Sequence, residues 1–166
     1  MKQTHWAVLI GINNYHKSIG PLKYCVNDCR CIEAALTKGG GPFLQDNILV
    51  LADDEESEEN RPTYTNIYNS LATWLSHIQE ADTLFFFFAG HGREIEGSPC
   101  LVPTDANLQT LHTTGIPVSE IQARLERCKA RQIVFVIDAC HSGAGRDVVA
   151  MQEPMLEALS GGEGIY

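Results

Sequence analysis

Apolar residues in this chain fall into two patterns. In the first, Trp6-Ala7-Val8-Leu9-Ile10, Leu84-Phe85-Phe86-Phe87-Phe88-Ala89 and Ile133-Val134-Phe135-Val136-Ile137 run without alternation. Such runs are expected of strands covered on both faces. A shorter strand is expected from Asn47 to Leu51. In the second pattern, Cys25, Val26, Cys29, Ile32 and Leu36 step by three and four through Tyr24–Lys38, and Gly39-Gly40-Gly41-Pro42 stops the helix they predict. Thr63–Gln79 predicts a second helix, with Ile67, Leu71, Trp74, Leu75 and Ile78 on one side. Val118–Ala130 predicts a third, with Ile121, Leu125 and Cys128 inward and Arg124, Arg127, Lys129 and Arg131 outward. Between Gly92 and Pro117 the pattern is irregular apart from a short strand or hairpin at Cys100-Leu101-Val102-Pro103. Asp147–Leu159 reads as partly helical despite Pro154, ahead of a glycine-rich tail.

Strands alternating with helices predict an α/β fold, a mostly parallel sheet flanked by helices on both faces. Neither repeat nor linker divides the chain, so residues 1–166 are expected to form one domain. Four main strands are few for such a sheet, so either another chain completes it or the edge beside the last strand stays open.

Charge narrows the partners. The net charge of −9 opposes nucleic acid and anionic membranes and suits a partner carrying Lys or Arg. The longest apolar run, Leu84–Ala89, is far short of the roughly 20 residues that span a bilayer. Met1-Lys2-Gln3-Thr4-His5 leads straight into the first strand without a secretory signal. The six cysteines are therefore expected to be reduced thiols of a cytoplasmic protein. Cys25, Cys29 and Cys31 lack the second ligand pair of a zinc site, and the acidic run 53–59 lacks the alternation of a cation loop. That run reads as a solvated loop. A phosphate-cradling glycine loop with its lysine is also missing.

The chemistry gathers where two buried strands end. Ile137 is followed by Asp138-Ala139-Cys140-His141-Ser142-Gly143, and Phe88 by Ala89-Gly90-His91-Gly92. Parallel strands deliver functional groups at their C-terminal ends. A thiol attacks as its thiolate, and a neighbouring imidazole lets it ionise near neutrality. Cys140 is thus the candidate nucleophile and His91 its base. The N–H groups of Gly92 and Cys140 are placed to meet an oxyanion. His141 is the rival base, but neighbours on an extended segment point to opposite faces.

These two motifs together resemble the caspase-like cysteine peptidases, in the metacaspase and orthocaspase branch. His91 precedes Cys140 by 49 residues, and in caspases the histidine lies about 50 residues upstream. Trp6–Tyr15 and the Tyr24–Leu36 helix are similar to that family's opening segments. The resemblance implies a three-layer caspase-like fold with a His91–Cys140 dyad. It also implies that Asp138 and Asp28 line the pocket for the residue preceding the cut bond. Two carboxylates there favour Arg or Lys. The chain resembles only the family's large, p20-like segment, so the small-subunit strands are absent and a small-subunit segment or partner chain is expected. Many metacaspases use calcium. Asp147 matches one of its acids, but Thr114-Gly115-Ile116 stands where an acidic pair belongs, so no metal or cofactor is expected.

The function expected is a cysteine endopeptidase that cuts protein substrates after Arg or Lys through an acyl-enzyme. The alternative is a non-catalytic module that docks a partner chain through its exposed edge and acidic pocket.

Overall fold

The computed structural model describes residues 3–38 and 42–141, with backbone alone at Cys140 and His141. The apolar runs become the middle of one six-stranded sheet. Strand β1 (His5–Gly11) lies between β2 (Phe43–Ala52) and β3 (Thr83–Ile95), and β6 (Gln132–His141) pairs with β3 on its other side. All of these pairings are parallel.

Two cores account for the missing alternation. Helix α1 (Cys25–Thr37) covers one face, where Cys25, Val26 and Cys29 pack with Ala7, Leu9, Phe87 and Ala89. Helices α2 (Tyr64–Leu75) and α4 (Val118–Glu126) cover the other. There Ile67, Leu71, Ile121 and Leu125 meet Val8, Ile10, Phe86, Phe88 and Phe135. Phe86 and Phe135 are register partners whose rings stack at 5.1 Å. A strand buried on both faces must be apolar at every position. Gly11 lets α1 sit close to the sheet, since a Cβ there would stand 2.8 Å from the Cys25 carbonyl oxygen and from Cys29 Sγ.

Several boundaries differ from the sequence reading. β2 starts at Phe43 rather than Asn47, because Phe43 pairs with His5 across a register shift and their rings meet edge-on at 5.2 Å. α2, capped by the Thr63 hydroxyl on Asn66 N–H, ends at Leu75, and Ile78 reaches the core from the turn that follows. α4 ends at Glu126, and Cys128 follows in a turn onto Leu125. The largest difference concerns β3. It runs through Gly90, His91 and Gly92 to Ile95, so these three residues lie inside the strand rather than at its end.

Beyond β3 the chain reverses at Glu96–Gly97, both at positive φ (51° and 77°), a two-residue hairpin geometry. It returns as β4 (Ser98–Leu101), the expected hairpin strand. A short helix α3 (Leu111–Thr114) and strand β5 (Ile116–Pro117) complete the antiparallel extension. The helix expected at Asp147–Leu159 lies outside the described residues. No described helix is long and apolar enough to cross a membrane.

At the N-terminal ends of the strands, buried Asp82 accepts hydrogen bonds from Thr4 N–H (2.9 Å), Trp6 Nε1–H (3.0 Å) and Gln79 N–H (2.9 Å). Burial alone would raise its pKa, but these donors outweigh it and hold the carboxyl below its ordinary value.

Candidate active site

The backbone brings the two motifs together. The β3–β6 register pairs Ala89 with Asp138, Gly90 with Ala139, His91 with Cys140 and Gly92 with His141. Register partners in a parallel sheet sit side by side and share a face. His91 and Cys140 are therefore neighbours at the C-terminal end of the sheet, on adjacent strands.

His91 is held from several directions. It is 2% exposed. Its ring Nε2 lies 3.0 Å from the Gly20 carbonyl oxygen. A carbonyl only accepts, so Nε2 carries a proton and donates it. The His91 backbone N–H donates to Tyr15 Oη at 2.9 Å, and the two rings lie 4.6 Å apart, tilted by 47°. Gly90 makes the Tyr15 contact feasible. A Cβ at that position would stand 2.6 Å from Tyr15 Oη and 2.8 Å from Phe88 Cζ. Gly20 adopts φ +94°, a left-handed conformation that glycine enters without steric cost.

Tyr15 and Gly20 belong to one loop, and its anchors come from distant elements. Asp53 Oδ2 accepts from the N–H groups of Asn13 (3.0 Å) and Asn14. Leu22 N–H closes the loop on Asn13 O at 2.7 Å, and Thr104 Oγ1–H reaches Asn14 O at 2.6 Å. Arg30 on α1 ties Asp54, at 3.0 Å, and Glu55 to the helix. Asp53, Asp54 and Glu55 thus anchor neighbouring segments, while Asp54 and residues 56–59 are exposed, as the reading of a solvated loop expects. Tyr15 and the Gly20 carbonyl were missed in the sequence. The only sign there was the Gly20-Pro21 turn, since a main-chain acceptor carries no residue signature.

The two candidate pocket acids come from different layers. Asp28 is half-buried in the first turn of α1. Asp138 is exposed, in register with Ala89, which packs in the same core as Cys25 at the start of α1. Both acids therefore lie toward the α1 face at the His91 end of the sheet. Gly92 is buried between Leu101 of β4 and His141 of β6.

Other thiols differ in setting. Cys29, Cys31, Cys100 and Cys128 are free thiols. Burial raises the Cys29 thiol, helped by neighbouring Cys25, and pushes Cys100 up to about 11. Neither is poised to ionise near neutrality. No group of three His, Cys, Asp or Glu among the described residues is arranged to hold a metal. At the calcium position suggested by resemblance, Thr114 donates its hydroxyl to Thr110 O (3.0 Å), and Asp147, the matching acid, lies outside the described residues. A 350 Å³ cleft between α2 and β2, lined by Leu49, Asn60, Asn66, Ser70, Thr73 and Trp74, does not include His91.

Comparison with known proteins agrees with this architecture. A family model described as "Caspase domain" matches residues 4–161. The chain belongs to the caspase-domain family.

Among curated proteins it is similar to Metacaspase-1B of Neurospora crassa, 29% identical over 153 residues, covering 87% of this chain and 35% of that protein. It is also similar to Metacaspase-1 of Eremothecium gossypii, 32% identical over 157 residues, covering 87% of this chain and 33% of the relative. The chain thus spans about a third of the length of these relatives. Protein GSU0716 from Geobacter sulfurreducens shares the fold, with a TM-score of 0.63 at 16% identity over 90% of this chain and 54% of that one.

Proposed function

We propose that the chain is the p20-like part of a cysteine endopeptidase that cuts protein substrates after Arg or Lys. The observation that carries this reading is the register pair His91–Cys140 on adjacent parallel strands. With Nε2–H committed to Gly20 O, Nδ1 is the ring atom able to accept the thiol proton. The thiolate then adds to the carbonyl carbon of the cut bond, and the oxyanion meets the N–H groups of Cys140 and Gly92. As the tetrahedral species collapses, the C–N bond breaks and His91 returns the proton to the leaving amine. Water, deprotonated by His91, releases the acyl group and restores the thiol.

Asp28 and Asp138 supply two negative charges for a guanidinium or ammonium on the residue before the cut. No cofactor enters this chemistry, so activity should survive a chelator. A cytoplasmic setting suits a reduced nucleophile. Among the described residues β6 pairs only with β3, and its outer edge is where small-subunit strands from the same protein or a partner chain would add.

The test uses internally quenched peptides with Arg, Lys or Asp before the cut. Arg and Lys peptides should be cleaved, Asp peptides spared, and Cys140→Ala should lower kcat at least a thousandfold. Cleavage by Cys140→Ala would refute the reading. Failure of Cys140 to react with a thiol-directed active-site probe would favour the docking module, which a β6 edge unpaired among the described residues also fits.

A further inference from the structure

β3 does not stop at the histidine. Two residues further along, on the same face, stands Arg93. The hairpin register fixes that face. Gly92 pairs with Leu101, which packs in the α2–α4 core, so Arg93 and its partner Cys100 belong to the opposite, His91-bearing face. Arg93 is half-buried, and its Nε is enclosed with no hydrogen-bond partner among the described residues. The described ion pairs use Arg30, Arg61 and Arg124, never Arg93. This isolation is notable in a chain with 21 acidic and 12 basic residues. Its sequence neighbour Glu94 is exposed and points to the other face, and Glu96 is exposed in the hairpin turn. A partly desolvated guanidinium without an acceptor is costly by itself and favours a carboxylate when one arrives.

We propose that Arg93 reads the leaving half of the substrate, taking a carboxylate on the first or second residue after the cut bond. This rests on the peptidase reading above. The acyl half stays bonded to Cys140 on β6, whereas the leaving nitrogen must pass beside His91 on β3 to collect its proton. Residues after the cut therefore run over the end of β3. Two strand residues advance about 7 Å, which one or two residues of an extended peptide also span. Asp28 and Asp138 serve the residue before the cut, so the preferred site is a basic residue followed by an acidic one.

The experiment separates this from the parent reading. Fluorescent peptides carrying Arg, then Asp-Asp, Ala-Ala or Lys-Lys, are titrated against the full chain bearing Cys140→Ala, with Arg93 intact or changed to Gln or Glu. With Arg93 intact, the acidic peptide should bind about tenfold more tightly than the alanine peptide, as for one partly buried charge pair. Arg93→Gln should bring that ratio close to one, and Arg93→Glu should turn the preference toward Lys-Lys. Arg93→Lys, which keeps the charge, should retain part of the preference and guards against a folding artefact. A ratio unchanged by Arg93→Gln, or no measurable binding of either peptide, overturns the proposal. Cleavage by the unmodified chain is scored separately. A chain that binds with the acidic preference yet cuts nothing sinks the peptidase reading and the leaving-half assignment with it, and reduces Arg93 to a carboxylate-binding residue of a docking module.

Discussion

Replacing Gly90 by alanine puts a methyl carbon 2.6 Å from Tyr15 Oη and 2.8 Å from the Phe88 ring. Either the Tyr15 side chain retreats, breaking its 2.9 Å bond to the His91 N–H, or β3 shifts at the histidine. Overpacking of this kind costs about 1–3 kcal/mol and a lost neutral hydrogen bond about 0.5–1.5 kcal/mol. Gly90→Ala should therefore lower stability by about 2–4 kcal/mol. Tyr15→Phe removes the hydroxyl and with it the closest obstacle, at a cost of its own of about 1–2 kcal/mol. In the Tyr15→Phe background, Gly90→Ala no longer meets the oxygen and keeps only the Phe88 contact. The double variant should thus be about 1–2 kcal/mol more stable than the sum of the single losses implies, well outside the few tenths expected of independent sites. Urea denaturation of the four proteins measures this, with midpoints compared at a common slope. Single costs that add within about 0.5 kcal/mol would show that the glycine and the tyrosine do not meet as described.

Asp53→Ala leaves the Asn13 and Asn14 N–H groups without their shared acceptor and should cost about 2 kcal/mol, whereas Asp53→Asn, which keeps one oxygen, should cost less. Because that loop carries Tyr15 and Gly20, the His91 ring resonances should move in the nuclear magnetic resonance spectrum of Asp53→Ala; unchanged resonances would show that the anchor does not reach the histidine. Asp82 has a folded pKa below its unfolded one, so its contribution is present above the ordinary carboxylate range and fades as pH falls through the folded value. Asp82→Asn should therefore be about 2–4 kcal/mol less stable at pH 7, with the gap from the natural chain closing below about pH 4. A gap that stays constant down to pH 2 would contradict the charge-based account.

The middle of the fold was legible because burial on both faces leaves a plain mark. Leu84–Phe88 and Ile133–Ile137 have no polar position to spare, and the motif at the end of each run sits where a parallel strand delivers it. What followed His91 was harder to read. Arg93 and Glu94 break the apolar run, yet the strand continues, because backbone pairing with β4 rather than side-chain burial holds it. Helix ends were overrun for the opposite reason. Ile78 and Cys128 keep the three-and-four spacing but are delivered by turns rather than by helix. The anchoring of Asn13 and Asn14 by Asp53 spans about 40 residues, and a run of like charges gives no hint which acid turns inward.

The acceptor that fixes the imidazole tautomer is a main-chain oxygen, and this shapes how the protein responds to change. Scanning by single side-chain replacement removes sulfur, ring and carboxylates one at a time but leaves the Gly20 carbonyl in place, so such a survey would count one participant too few. It is vulnerable only through the path of the polypeptide itself. A substitution at position 20 that disfavours its left-handed torsion would swing the oxygen away, and the imidazole would lose its orientation although every conventional catalytic group remained.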